Sequence, residues 1–173
     1  MLGSSEESAG LAAKLGLPYS FAYFINNNVD HSLFSRYRAR FMAEPGNSGS
    51  TPYASLGVFV ICADTEAEAL RLARSRELWF CNISGGDSTK SFIPSVESAE
   101  AYTYTAQQQA IVENTRSKMV LGTPEQVKSS LTRLAEQFGA DELVVLTITY
   151  DFEARCRSYE LLAEAWSLGA IRL

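Results

Sequence analysis

Leu56-Gly57-Val58-Phe59-Val60-Ile61-Cys62 is an unbroken apolar run of seven residues. That length, and the branched and aromatic residues at its centre, suit a strand rather than a helix. A half-exposed strand would alternate apolar and polar positions. This one is apolar on both faces, as is a parallel strand covered by helices on either side. Asp64 and Thr65 follow as helix caps, and the helix they open is expected to run to about Phe80.

Reading outward, strand-like and helix-like patterns alternate. Tyr19–Ile25 is a second compact aromatic and apolar run, read as a buried strand. It leads into the polar turn Asn26-Asn27-Asn28. Asp30 or Ser32 can cap a helix through about Ala43, with Leu33, Phe34, Tyr37, Phe41 and Met42 at helical spacing. Residues 44–53 form a loop rich in Pro, Gly, Ser and Asn. Upstream, Ser5 can cap a helix over Glu6–Leu15, with two acids in its first turn and Gly16 as its stop. Downstream, Asn82–Ala99 has no firm periodicity, and a helix resumes near Glu100 and ends before Arg116. Thr123-Pro124-Glu125-Gln126 is a helix start with Pro at the first turn and Gln126 completing a capping box. That helix ends at Gly139. Leu143–Thr149 is the third clear strand, and Asp151 caps a final helix through about Ser167. The alternation implies an α/β fold with a parallel sheet and right-handed crossovers. Pattern alone leaves open whether that sheet closes into a barrel.

Composition narrows the function. The chain has 173 residues, enough for one domain, and its net charge of -5 disfavours nucleic-acid binding, which leaves a basic patch. No stretch is long and apolar enough for a membrane span, and the N-terminus lacks a basic region followed by an apolar core. Cys62, Cys81 and Cys156 are odd in number and widely spaced, which fits reduced thiols in a cytoplasmic protein. With His31 as the single histidine and no Cys-x-x-Cys pair, metal ligation is disfavoured, and the sequence marks no nucleophile–His arrangement. His31 is expected to cap a helix or face solvent.

Gly3-Ser4-Ser5-Glu6-Glu7-Ser8 is the best functional candidate. It opens a helix, so unpaired backbone N–H groups and the macrodipole can attract an anion there. Serine hydroxyls add donors, and Gly3 permits close approach. The plainer alternative is a serine-capped helix, and Glu6 and Glu7 would compete with a phosphate. Gly122 and Thr123 are read the same two ways, as ligand neighbours or as an ordinary cap.

Two segments carry a resemblance. One is Gly3-Ser4-Ser5-Glu6-Glu7-Ser8-Ala9 with Leu11-Ala12-Ala13-Lys14-Leu15-Gly16-Leu17-Pro18, running into Tyr19–Asn26. The other is Gly122–Val127, followed by Glu142–Asp151 and Arg157–Glu164. In this order and separation they resemble the luciferase-like monooxygenases of the bacterial luciferase superfamily, over nearly the whole chain. The resemblance implies a (β/α)8 TIM barrel of roughly twice this length. Residues 1–173 would form a single domain, the C-terminal half of that barrel, with residue 1 near the end of the fifth strand.

The resemblance also implies a site. Ser4, Ser5 and Ser8 match positions that hold the phosphate of flavin mononucleotide (FMN), and Tyr23 matches an aromatic near the flavin. Residues 82–117, including the loop Asn82–Ala99, match a mobile lid over the active site. The implied activity is oxidation of a small organic substrate by reduced FMN and O2, with a flavin reductase as electron source. The deazaflavin F420 stands second as cofactor. No catalytic base is named, as befits a family in which the flavin performs the oxygen chemistry. A half barrel implies a truncated chain, with two open sheet edges that invite oligomerisation. It also implies an inner face around Phe21, Tyr23, Phe59 and Ile148 that has lost its cover. The alternative function is a non-catalytic flavin-binding or assembly protein of the same fold.

Overall fold

The computed structural model describes residues 1–43, 50–85 and 92–168. Among these, strands and helices alternate: β1 (Leu2–Gly3), α1 (Glu6–Lys14), β2 (Tyr19–Ala22), α2 (Leu33–Ala39), β3 (Ala54–Cys62) and α3 (Glu66–Ser84). They are followed by α4 (Val96–Glu100), α5 (Ala106–Arg116), β4 (Met119–Gly122), α6 (Pro124–Phe138), β5 (Glu142–Leu146) and α7 (Phe152–Ala165). The pairings β1–β2, β2–β3 and β3–β4 are all parallel, and β5 also pairs with β3. Every position of β3 is buried, as its unbroken apolar run requires. The chain divides into two compact units, Met1–Val58 with Leu131–Leu146 and Phe59–Ser130 with Thr147–Leu173.

In the first unit, β1 stands at the end of the strand order, with Leu2 opposite Ser20 and Gly3 opposite Phe21. The start of β3 takes β2 in register from Tyr19↔Ala54 to Ala22↔Gly57. An aromatic cluster fills this unit. Tyr19 meets Phe34 edge-on at 6.3 Å and Tyr37 at 5.8 Å, and Phe34 meets Phe138 at 5.9 Å. Such pairs bury large areas and fix ring orientation. Tyr37 is buried, so its hydroxyl needs a partner and donates to the Leu17 carbonyl at 2.8 Å. Asp141 positions β5: its carboxylate accepts from Ala54 N and from Arg38 Nη2, both at 2.7 Å, and its N–H donates to the Ala54 carbonyl.

In the second unit, the end of β3 pairs with β4 from Phe59↔Met119 to Cys62↔Gly122. Ile61, Ala63, Ala69, Leu72, Ala73 and Val96 form its core, where alanines let α3 lie close to the sheet. Thr65 caps α3 by accepting from Glu68 N at 3.2 Å. Arg76 is buried, with its guanidinium carbon 3.8 Å from the Phe59 ring centre and Nη1 3.3 Å from Met119 Sδ. Burial lowers its pKa to about 10. At the next position of the same helix, the Glu77 carboxylate is 2% exposed and receives Arg116 in a two-pronged pair, at 2.7 and 2.8 Å. This pair ties α5 to α3.

Several sequence expectations are corrected. The strand from Tyr19 stops at Ala22 because Ile25 N and Asn26 N both turn back to the Ala22 carbonyl. The helix expected to resume near Glu100 starts instead at Ala106, capped by Thr105, and a short helix capped by Ser95 precedes it where none was expected. The helix from Ser32 ends at Ala39, and β5 ends at Leu146. Strand β4 was not expected, and β1 was implied only by the resemblance, which put residue 1 near the end of a strand. Phe21 and Phe59 are buried by the chain itself rather than uncovered, while Tyr23 and Ile148 are half-buried. Of the loop 44–53, residues 44–49 lie outside the described residues, as do residues 86–91 of the expected lid. Among the described residues, no helix is long and apolar enough to cross a membrane.

Two arginine pairs give a direct test of burial. Removing Arg116 strands the buried Glu77 carboxylate, so Arg116→Met is expected to cost about 2–4 kcal/mol. Arg157 pairs with the exposed Asp64 at 2.8 Å, and Arg157→Met is expected to cost less than about 1 kcal/mol. Urea denaturation of both variants checks the order. Equal losses would show that Glu77 does not depend on its partner.

Candidate functional site

The serine turn is built by the β1–α1 connection. The chain leaves β1 at Gly3, and Ser5 takes an extended conformation that starts α1 as its N-cap. Ser5 Oγ accepts from Ser8 N, and Ser8 Oγ accepts from Ser5 N, each at 3.3 Å. This reciprocal capping box uses Ser8 where Glu or Gln is commoner. A Cβ at residue 3 would lie 2.2 Å from Ser8 Oγ. Glycine is therefore required there by Ser8.

Tyr19 completes the turn from the neighbouring strand. Its hydroxyl lies 2.8 Å from Ser8 Oγ, and both hydroxyls reach the Ser5 carbonyl, at 3.2 and 2.7 Å. Burial raises the Tyr19 pKa, so the hydroxyl stays protonated and available as a donor. Asn26 reaches over from the connection after β2, and its Nδ2 donates to the Ser4 carbonyl at 3.1 Å. Two consecutive carbonyls, of Ser4 and Ser5, are thus held by side chains from the next βα unit.

The two first-turn carboxylates take different paths. Glu6 accepts from Arg36 Nη2 at 2.7 Å. Glu7 folds back, accepting from the Ser5 hydroxyl and from its own N–H, and these bonds hold its pKa below the usual carboxylate range. The macrodipole favours both acids at this helix end.

Of the residues singled out from sequence, Ser4, Ser5 and Ser8 therefore come together in one turn, with the Ser8 hydroxyl turned inward to Tyr19. Tyr23 follows β2 at the carboxyl end of the same parallel strands, half-buried, with its pKa raised by burial. Its ring packs edge-on against Phe138 at 5.9 Å. Among the described residues no hydrogen bond joins it to the serine turn. His31 is exposed, 4.8 Å from Phe138 ring to ring. Thr123 proves to be a cap. Its N–H donates to Gln126 Oε1 at 2.9 Å, and a Cβ on Gly122, at φ +147°, would lie 2.5 Å from that same oxygen. In the expected lid, the Gln108 carbonyl on α5 accepts from Cys81 Sγ on α3 at 3.7 Å.

Sequence reasoning missed Tyr19 and Asn26. Tyr19 reads as one more aromatic in a strand, and Asn26 as one of three turn asparagines. Only the parallel register, with Gly3 opposite Phe21, reveals that both lie beside the serine turn.

A family model described as luciferase-like monooxygenase matches residues 1–142. YceB of Bacillus subtilis is 41% identical over 164 residues, covering 95% of this chain and 48% of YceB. N-acetyl-S-alkylcysteine monooxygenase of Bacillus subtilis is 33% identical over 165 residues, covering 95% of this chain and 48% of that protein. The crystal structure of apo-MsnO8 matches with a TM-score of 0.80 at 34% identity, covering 97% of this chain and 50% of that one. The chain spans about half the length of the curated relatives it matches.

Tyr19→Phe isolates the contribution of one hydroxyl to the turn. The variant keeps the ring stack and removes a donor from the half-buried Ser5 carbonyl. It is expected to lose about 1–2 kcal/mol in urea denaturation, and a loss within error would show that Ser8 alone holds the turn.

Proposed function

The chain belongs to the luciferase-like monooxygenase family, and from that premise we propose a flavin-dependent monooxygenase whose serine turn grips the phosphate of FMN. One observation carries the reading. The segment Ser4–Ser8 lies on a helix start at the carboxyl end of parallel strands, which supports that role. That is where open α/β sheets and barrels bind ligands.

The residues present fit a phosphate. Glu6 is drawn aside by Arg36, leaving the start of α1 to the Ser4 and Ser5 hydroxyls and the first-turn amides. Glu7 is exposed, so it can swing into water at little cost when an anion arrives. In this reading Ser4 and Ser5 donate to the phosphate oxygens. Ser8 braces Ser5 from within the helix, and Tyr23 lines the same strand ends as an aromatic wall. Reduced FMN, when bound, supplies the electrons that activate O2. The protein's part is to anchor the phosphate, orient the ring system and limit access of water. Residues 82–117 are proposed as the lid, and a separate flavin reductase as the source of reduced flavin. F420 stands second to FMN.

The substrate is proposed to be a small organic molecule. The name of the relative N-acetyl-S-alkylcysteine monooxygenase recommends thioethers, and the family resemblance recommends aldehydes. FMN is expected to bind about ten- to hundredfold tighter than riboflavin, which lacks the phosphate, by fluorescence quenching. Ser5→Ala is expected to erase most of that preference. Equal affinity for the two flavins would overturn the phosphate reading. Oxygenated product from either substrate panel with reduced FMN supports the enzyme. FMN retention without turnover favours a flavin-binding module.

A further inference from the structure

We infer that Asn26 is a positioning residue for the phosphate turn, acting through the Ser4 carbonyl. The inference rests on the phosphate reading above and adds to it a residue outside the serine segment.

The geometry is specific in three respects. First, the Asn26 side chain spans two βα connections: it sits after β2 yet donates to the Ser4 carbonyl after β1, at 3.1 Å. Second, its amide is already oriented. Asn28 N donates to Asn26 Oδ1 at 3.1 Å, which leaves Nδ2 as the group that faces Ser4. Third, its backbone is fixed, because Asn26 N donates to the Ala22 carbonyl at 3.2 Å, directly at the end of β2. The chain from β2 to Ser4 is therefore a continuous set of hydrogen bonds ending on the peptide that precedes the N-cap.

That peptide matters because its two ends point in opposite directions. Fixing the Ser4 carbonyl toward Asn26 fixes the plane of the Ser4–Ser5 peptide, and with it the direction in which the Ser5 side chain enters the capping box. A phosphate held by short, directional donors is sensitive to such rotations. A ring system packed against apolar walls is far less so. Loss of the Asn26 amide should therefore weaken the grip on the phosphate and leave the flavin ring's affinity alone.

The test compares FMN with riboflavin on the whole chain, for wild type, Asn26→Ala and Asn26→Leu. Both substitutions are neutral, so neither adds a charge near the phosphate. FMN affinity is expected to fall about three- to tenfold in each variant, while riboflavin affinity stays unchanged. General loosening of the fold would lower both affinities together, and that outcome overturns the positioning role. So does an FMN preference equal to wild type in both variants. If wild type itself fails to prefer FMN, the phosphate reading falls and this inference falls with it.

Discussion

Strand β3 imposes the strongest constraint on this chain. All nine of its positions are buried, so neither face can turn to water and a register slip would displace packed side chains on both sides. Its backbone must also be satisfied along its whole length. Strand β2 pairs with the first part and β4 with the last, β5 also pairs with it, and side chains supply further partners. The Asp141 carboxylate accepts from Ala54 N, Ser158 Oγ accepts from Cys62 N at 2.9 Å, and Thr147 Oγ1 donates to the Val60 carbonyl at 2.9 Å. Gly57 belongs to the same economy, since a Cβ there would meet the Phe24 ring at 3.1 Å. An apolar strand thus sets the polar residues that flank it.

What was legible in the sequence follows from how much local signal each element carries. Strand β3 and helix α3 were plain, because a long apolar run and a Thr cap with an acid three residues on are self-sufficient. Helix α6 was as clear, since Pro124, Thr123 and Gln126 mark one turn in three ways. Strand β1 is two residues long and β4 four. Neither has room for a period, so both depend on a neighbour to become strands at all. The break between α4 and α5 was hidden for a related reason. Ser95 and Thr105 are caps only if the chain bends there, and polar residues between two weak apolar patterns do not announce a bend.

The candidate site divides along the same line. The serine segment was readable, since helix capping is a local matter, and the family resemblance is what proposes a ligand for it. Its supports were not readable. Tyr19 lies 11 residues from Ser8, and Asn26 lies 22 from Ser4. Nothing in either spacing suggests contact until β1 and β2 are paired in parallel. Arg76 shows the opposite limit: a charged residue on a helix reads as solvent-facing, yet this one lies buried over Phe59 with its Nε lacking a hydrogen-bond partner. Its aromatic neighbour and its long alkyl stem make burial tolerable, but only tertiary packing discloses it.

The two acids beside the serines are the point at which electrostatics and capping must be weighed together. In a chain of net charge -5, glutamates at an anion site would seem self-defeating. Their geometry argues otherwise. Glu6 pairs with Arg36, and Glu7 accepts from the Ser5 hydroxyl and its own N–H. A phosphate carries about -1.5 to -2 charges and three acceptor oxygens. It makes more bonds to the same donors than one carboxylate oxygen can, and an exposed glutamate leaves without exposing anything buried. The acids therefore set a cost that a phosphate proposed for this turn would have to offset through the bonds its additional oxygens make.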